Sequence, residues 1–263
     1  MNPLIITVIS LSIIFLATTL GAFLVFFFKK NFSNKVSSII LGFASGIMLS
    51  AGLFGLLVPS LEEANKFYEE YAPFPVVIGF LLGGLILFGL DKIVPHIHQN
   101  THEEEGKEIR KVPTHLKFFL AVTLHNIPEG LAVGFACGLA IKLNTQEAML
   151  SALSLAIGIA IQNFPEGAAV SIPLLDEGLN KGKSFLYGML SGIVEPIFGL
   201  IAVFVASSLE MLLPWLLAFG GGAMIYVTID ELIPSMRESG YHHLGLWMLM
   251  FGFAIMMVLE MVL

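Results

Sequence analysis

His125-Asn126-Ile127-Pro128-Glu129-Gly130 and Gln162-Asn163-Phe164-Pro165-Glu166-Gly167 are near-copies of one hexapeptide, each set inside a long apolar stretch. Each copy places a carboxylate, an amide and a proline where lipid would otherwise be. An ionisable side chain at bilayer depth costs about 2.5–3.5 kcal/mol even on the most lenient insertion scale. Two matched copies of so costly an arrangement point to a polar site built inside a membrane.

The surrounding composition agrees. The chain has 263 residues, 56% of them hydrophobic and 13% charged. A soluble domain carries about 25% charged residues. A helical span needs about 20 mostly apolar residues. The pattern predicts an all-α integral membrane protein with eight spans, over residues 3–28, 36–59, 75–94, 114–141, 148–175, 184–207, 213–236 and 244–263. These form a single transmembrane domain, with a cytoplasmic loop over 95–113. The first segment is read as a span rather than a cleaved signal peptide, because it lacks a basic start and its apolar run is too long.

Basic residues orient the bundle. Of the 13 lysines and arginines, all but Lys66 and Lys142 fall in or beside the loops after spans 1, 3, 5 and 7. Those loops are expected to be cytoplasmic, which leaves both termini outside. The outer side then carries Glu62, Glu63, Glu69 and Glu70. They either draw cations toward an entrance or simply solvate a loop. A net charge of −7, without a basic stripe, excludes a nucleic-acid partner. Cys137 is the only cysteine, so no intrachain disulfide is possible, and it reads as a small packing residue.

A second, weaker repeat links Leu57-Val58-Pro59-Ser60-Leu61-Glu62-Glu63 to Leu232-Ile233-Pro234-Ser235-Met236-Arg237-Glu238. Gly46 and Gly221 keep the same offset. The charge map ends span 2 outside and span 7 inside, so these copies run in opposite directions, as spans 4 and 5 do. The expected plan is an inverted repeat of three spans, a central pair and three spans. Inverted repeats with a midplane site on proline- or glycine-interrupted helices mark transporters.

Depth and facing locate that site. Glu129, Gln162 and Glu195 fall near the middles of spans 4, 5 and 6, with Glu166 about one turn further in. His125 with Glu129, and Gln162 with Glu166, stand four residues apart and share helix faces. Pro128 and Pro165 free the carbonyls of Leu124 and Ile161, and Pro196 repeats the device after Glu195. One imidazole, three carboxylates and three amides make a mixed nitrogen and oxygen donor set. Imidazole suits zinc, copper, iron and nickel, whereas carboxylates alone suit magnesium, calcium or manganese. Without a thiolate, the set fits a borderline divalent ion held loosely enough to leave. A lone buried glutamate can be a neutral packing residue. For Asn126, Asn163 and Gln162, helix–helix hydrogen bonding remains an alternative to ligation.

At these residues the chain resembles the ZIP (Zrt-, Irt-like) family of divalent-metal transporters, in a bacterial branch. The resemblance rests on HNxPEG in span 4, QNxPEG in span 5, Glu195-Pro196 in span 6 and Asp230-Glu231-Leu232-Ile233-Pro234 in span 7. It implies a two-metal centre. One ion would be held by His125, Glu129, Gln162 and Glu166. The other would share Glu129 and Glu166 with Asn126, Asn163 and Glu195. Some relatives have aspartate where this chain has Asn163, so the second ion is expected to bind more weakly. The resemblance also implies a cytoplasmic exit by Asp91, His96 and His98 and by Asp230 and Glu231, with Met48 lining the path near His125. It further implies a dimerising scaffold against which another helix group slides, hence a homodimer. The loop histidines His96 and His98, and less so His102, read as serving either transient metal capture or plain solvation, and His242 and His243 read as interfacial.

The reading is therefore import of a divalent ion, Zn²⁺ first and then Fe²⁺, Mn²⁺ or Cd²⁺, across the cell (inner) membrane. The ion is cargo, and no catalytic cofactor is expected. The alternatives are an intramembrane metalloenzyme, which would favour an HExxH or GxSxG motif that this chain lacks, and a metal-sensing receptor.

Overall fold

A computed structural model describes residues 2–27, 33–93, 96–97, 104–105, 114–176 and 178–262. Eight helices are long and apolar enough to cross a membrane. Span 1 is Pro3–Phe26, span 2 Asn34–Tyr71, span 3 Pro73–Leu90 and span 4 Val122–Leu143. Span 5 is Gln146–Leu175, span 6 Lys181–Ser208, span 7 Leu213–Glu238 and span 8 His242–Val262. The helix of span 4 begins earlier, at Thr114, and that of span 3 continues to Ile93.

Local sequence sets several helix starts. The side chains of Asn2, Ser33, Thr145 and Asn180 each accept a hydrogen bond from a backbone N–H in the first turn of spans 1, 2, 5 and 6. Such caps satisfy donors that a helix start leaves unpaired. Asn144, with φ of 49°, turns the chain sharply between spans 4 and 5.

Four helix pairs dominate the packing: span 1 with 5, span 4 with 6, span 2 with 8, and span 3 with 7. Exchanging 1 with 6, 2 with 7, 3 with 8 and 4 with 5 turns this set into itself. The pairing therefore carries the expected inverted repeat. Glycines let the paired backbones touch, as small residues do in membrane bundles. Gly167 abuts the Thr18 carbonyl between spans 5 and 1, and Gly130 abuts the Glu195 backbone between spans 4 and 6. These are the last residues of the two hexapeptides, so each copy ends on the contact that seats it against its partner helix.

The weaker repeat has a backbone counterpart. Span 2 contains a π-helical segment at Ala51–Leu57 and span 7 one at Thr228–Leu232. Both end immediately before the matching Val58-Pro59-Ser60 and Ile233-Pro234-Ser235. Each proline thus sits at the start of the following α-helical segment, where a missing amide donor costs least.

Three expectations change. Span 2 does not stop at Pro59 but runs on to Tyr71, for the reason just given. The prolines of spans 4 and 5 lie inside continuous helices, Thr114–Leu143 and Gln146–Ser171. Neighbouring helices can satisfy freed carbonyls at membrane depth without a break. Only span 6 is interrupted at its glutamate, passing from Lys181–Gly192 to Val194–Ser208 across Ile193. In the loop after span 3, His96–Ile97 pairs antiparallel with Glu104–Glu105, a two-residue ladder on an otherwise helical plan.

Candidate metal site

Spans 4 and 5 carry their hexapeptides side by side, and spans 2 and 7 close the other side. A small cavity of about 40 Å³ lies between them, room for a few water-sized bodies. Its polar lining is His125, Glu129, Gln162, Glu166, Glu231 and Ser235, and its apolar lining includes Met48, Ala44 and Leu41. The remaining liners Ile40, Val122, Ala169 and Leu232 place it on the side of the bundle that carries the lysine-rich loops. The opposite half is filled by Leu56, Phe135, Leu155 and Leu217, all buried in the main apolar core.

The donors are engaged with one another. Gln162 Nε2 donates to Glu129 Oε1 at 2.6 Å, entirely buried. His125 Nε2 stands 2.9 Å from Glu231 Oε1. Among the described residues, no three His, Cys, Asp or Glu side chains are gathered tightly enough to hold an ion as they stand. A cation bound here would have to exchange these contacts for its own. The exchange starts from unsatisfied atoms, because Glu129 Oε2 and Gln162 Oε1 are buried without a hydrogen-bond partner. Buried polar atoms left unpaired are costly, and a cation relieves that cost for acceptor oxygens.

The remaining predicted donors lie behind this cavity, toward spans 1 and 6. Glu195 is fully buried and accepts from Thr18 Oγ1 at 2.9 Å. Asn126 Nδ2 donates to the Ser191 carbonyl at 2.9 Å, which ties span 4 to span 6. Asn163 is buried beside the Glu129 and Glu195 carboxylates. None of these three lines the cavity. The three carboxylates Glu129, Glu166 and Glu195 are nevertheless close enough to repel one another, and a cation between them would offset that.

The outlying assignments divide. Met48 lines the cavity with His125, and Glu231, expected on an exit path, reaches the centre itself. Asp230, its neighbour, is exposed and does not line the cavity. Asp91 ends span 3 and His96 lies in the short ladder, but neither side chain is among those described, and His98 and His102 fall outside the described residues. Thr18 and Ser235 were not predicted. Single hydroxyl residues in apolar spans carry no sequence signal that separates them from packing residues.

Comparison with known proteins identifies the family. A family model described as "ZIP Zinc transporter" matches residues 3–117 and 102–260. The chain belongs to the ZIP zinc transporter family. It is 33% identical to "Zinc transporter ZIP11" of Homo sapiens over 92% of this chain and 93% of that protein. It is 37% identical to "Zinc transporter GufA" of Myxococcus xanthus over 93% and 94% of the two chains. It is 31% identical to "Zinc transporter ZupT" of Clostridium perfringens over 92% and 90%. This ZIP protein is thus a multi-pass membrane transporter of metal ions and not an enzyme.

Proposed function

We propose that this ZIP protein imports divalent cations, Zn²⁺ foremost and Fe²⁺, Mn²⁺ or Cd²⁺ after it, across the cell membrane into the cytoplasm. The observation that carries this reading is the convergence of His125, Glu129, Gln162 and Glu166 from two inverted hexapeptides on one mid-span cavity. The donor chemistry supports a borderline ion: a single imidazole with carboxylate and amide oxygens, and no thiolate. The names of the relatives support zinc.

The first ion sits among His125, Glu129, Gln162 and Glu166, with Glu231 exchanging His125 for the metal. The second set, Asn126, Asn163 and Glu195, is an auxiliary position, because Asn163 supplies no charge there and Asn126 and Glu195 already have protein partners. The cavity lies on the side of the basic loops, so this arrangement releases its ion to the cytoplasm, and both termini face outward. Ligands must shed protons to bind metal, so uptake weakens as the medium is acidified. The exposed apolar faces of spans 3 and 8 contact lipid or a second copy in a homodimer, and the whole chain forms one transmembrane domain.

Purified protein in liposomes, with metal outside and a fluorescent chelator inside, tests this. Saturable Zn²⁺ entry above protein-free vesicles is expected. No entry of any divalent ion down an inward gradient would remove the proposal.

A further inference from the structure

A polar line extends along span 5 beyond the central site. Glu147, Ser151, Ser154, Gly158 and Gln162 recur at spacings of three or four and share one face. Gln162 ends in the central cavity. At the far end, Glu260 of span 8 turns inward. The Ser151 hydroxyl stands beside its carboxyl group. Glu260 Oε1 is buried without a hydrogen-bond partner, and so is the hydroxyl of fully buried Ser154. A Cβ on Gly55, in the π-helical segment of span 2, would come within 3.1 Å of Glu260 Oε1. Glycine there keeps open the space beside the carboxylate. Spans 2, 5 and 8 thus meet around an unsatisfied carboxylate oxygen, a costly arrangement two residues from the end of a helix, where a glutamate has solvent within reach.

The inverted repeat gives an independent reason. Span 8 is the counterpart of span 3, which ends in Asp91. The π-helical segment of span 2 is the counterpart of that in span 7, where Gly55 corresponds to Asp230. Glu260 therefore stands beside Gly55 on the side away from the basic loops, where the counterpart segment of span 7 carries Asp230 on the other. Between Glu260 and the central donors the passage is sealed by apolar groups. The Met256 sulfur lies directly over Gly158, where any Cβ would collide with it, and Leu155 and Ile159 are fully buried alongside.

We propose that Glu260, with Ser151 and Ser154, forms an outer cation-binding site that receives the metal ion before it reaches the central donors. A carboxylate with two hydroxyls offers only hard oxygen donors, so the site binds divalent ions weakly and leaves them partly hydrated. That suits a first stop on the way to a site that also supplies imidazole. The direction of travel rests on the import reading, whereas the existence of the site does not.

Two measurements test it. In proteoliposomes, Glu260→Gln should raise KM for Zn²⁺ about tenfold with kcat unchanged, since an entry site contributes to capture and not to the later step. Glu260→Asp should recover most of the loss, and an unchanged KM in Glu260→Gln would overturn the entry role. For binding, Cd²⁺ is titrated calorimetrically into purified Glu166→Ala protein, whose central site is disabled. Adding Glu260→Gln should remove one weak site, and identical titrations would overturn the proposal. Ser151→Ala, which leaves the carboxylate in place, should weaken that site severalfold and serves if Glu260→Gln fails to fold. Binding is read without transport. A wild-type protein that moved no metal would sink the importer reading, while the Cd²⁺ titration would still decide the outer site.

Discussion

The front and back of the central site are built from the same two hexapeptides and differ in what their polar atoms touch. At the front, His125, Glu129, Gln162 and Glu166 share a cavity with one another and with Glu231. At the back, Asn126 and Glu195 are tied to the Ser191 carbonyl and to Thr18, and Asn163 is buried beside carboxylates. The difference teaches that position along a hexapeptide decides role. The residues four apart face the cavity, and the intervening asparagines face the helices that hold spans 4 and 5 in place.

The sharpest break in this contrast is at the front. Glu166→Ala should fold and lose uptake to the level of empty liposomes, and retained transport would remove the site assignment. Next, His125→Gln makes the two hexapeptides alike at their first position. It should lower kcat/KM for Zn²⁺ by roughly 10–100-fold, and for Mn²⁺ by less, because imidazole favours zinc. A competition assay between the two ions reads this directly. At the back, Asn163→Asp adds a charge beside Glu129 and Glu195. It should tighten metal binding severalfold and change the preference among Zn²⁺, Fe²⁺ and Mn²⁺, measured by competitive uptake. The smallest effect belongs to Asn126→Leu. It removes one interhelical hydrogen bond of about 0.6–1.7 kcal/mol, so the melting temperature in detergent should fall while KM stays put. A large rise in KM in that variant would make Asn126 a ligand of the first ion and erase the distinction between front and back.

Much of this was legible in the residues. Eight apolar runs were enough for the spans, and the basic loops with two repeats were enough for the inverted plan. The helical spacing of His125 with Glu129 and of Gln162 with Glu166 brought the four cavity donors together in advance. What escaped has physical causes. Pro59 looked like a stop because nothing local reveals a π-helical segment that leaves a position tolerant of proline. Pro128 and Pro165 looked like breaks because a proline's missing donor is a local signal, whereas what lets the helix continue through it depends on packing against neighbouring helices. Glu231 looked like an exit residue because its contact with His125 depends on how span 7 packs against span 4, which spacing within one span cannot report. The glycine ending each hexapeptide was visible, but its partners, Thr18 and the Glu195 backbone, lie far away in sequence.

The central claim is that a divalent ion binds between the two hexapeptides. Crystals of the protein soaked with Zn²⁺ or Cd²⁺, with anomalous scattering measured at an energy where the metal contributes strongly, test it most directly. The account predicts a peak among His125, Glu129, Gln162 and Glu166, with the Glu231 carboxylate moved off the imidazole and the Gln162–Glu129 hydrogen bond opened. A bound ion elsewhere in the bundle, with those four side chains still paired as they are, would contradict it.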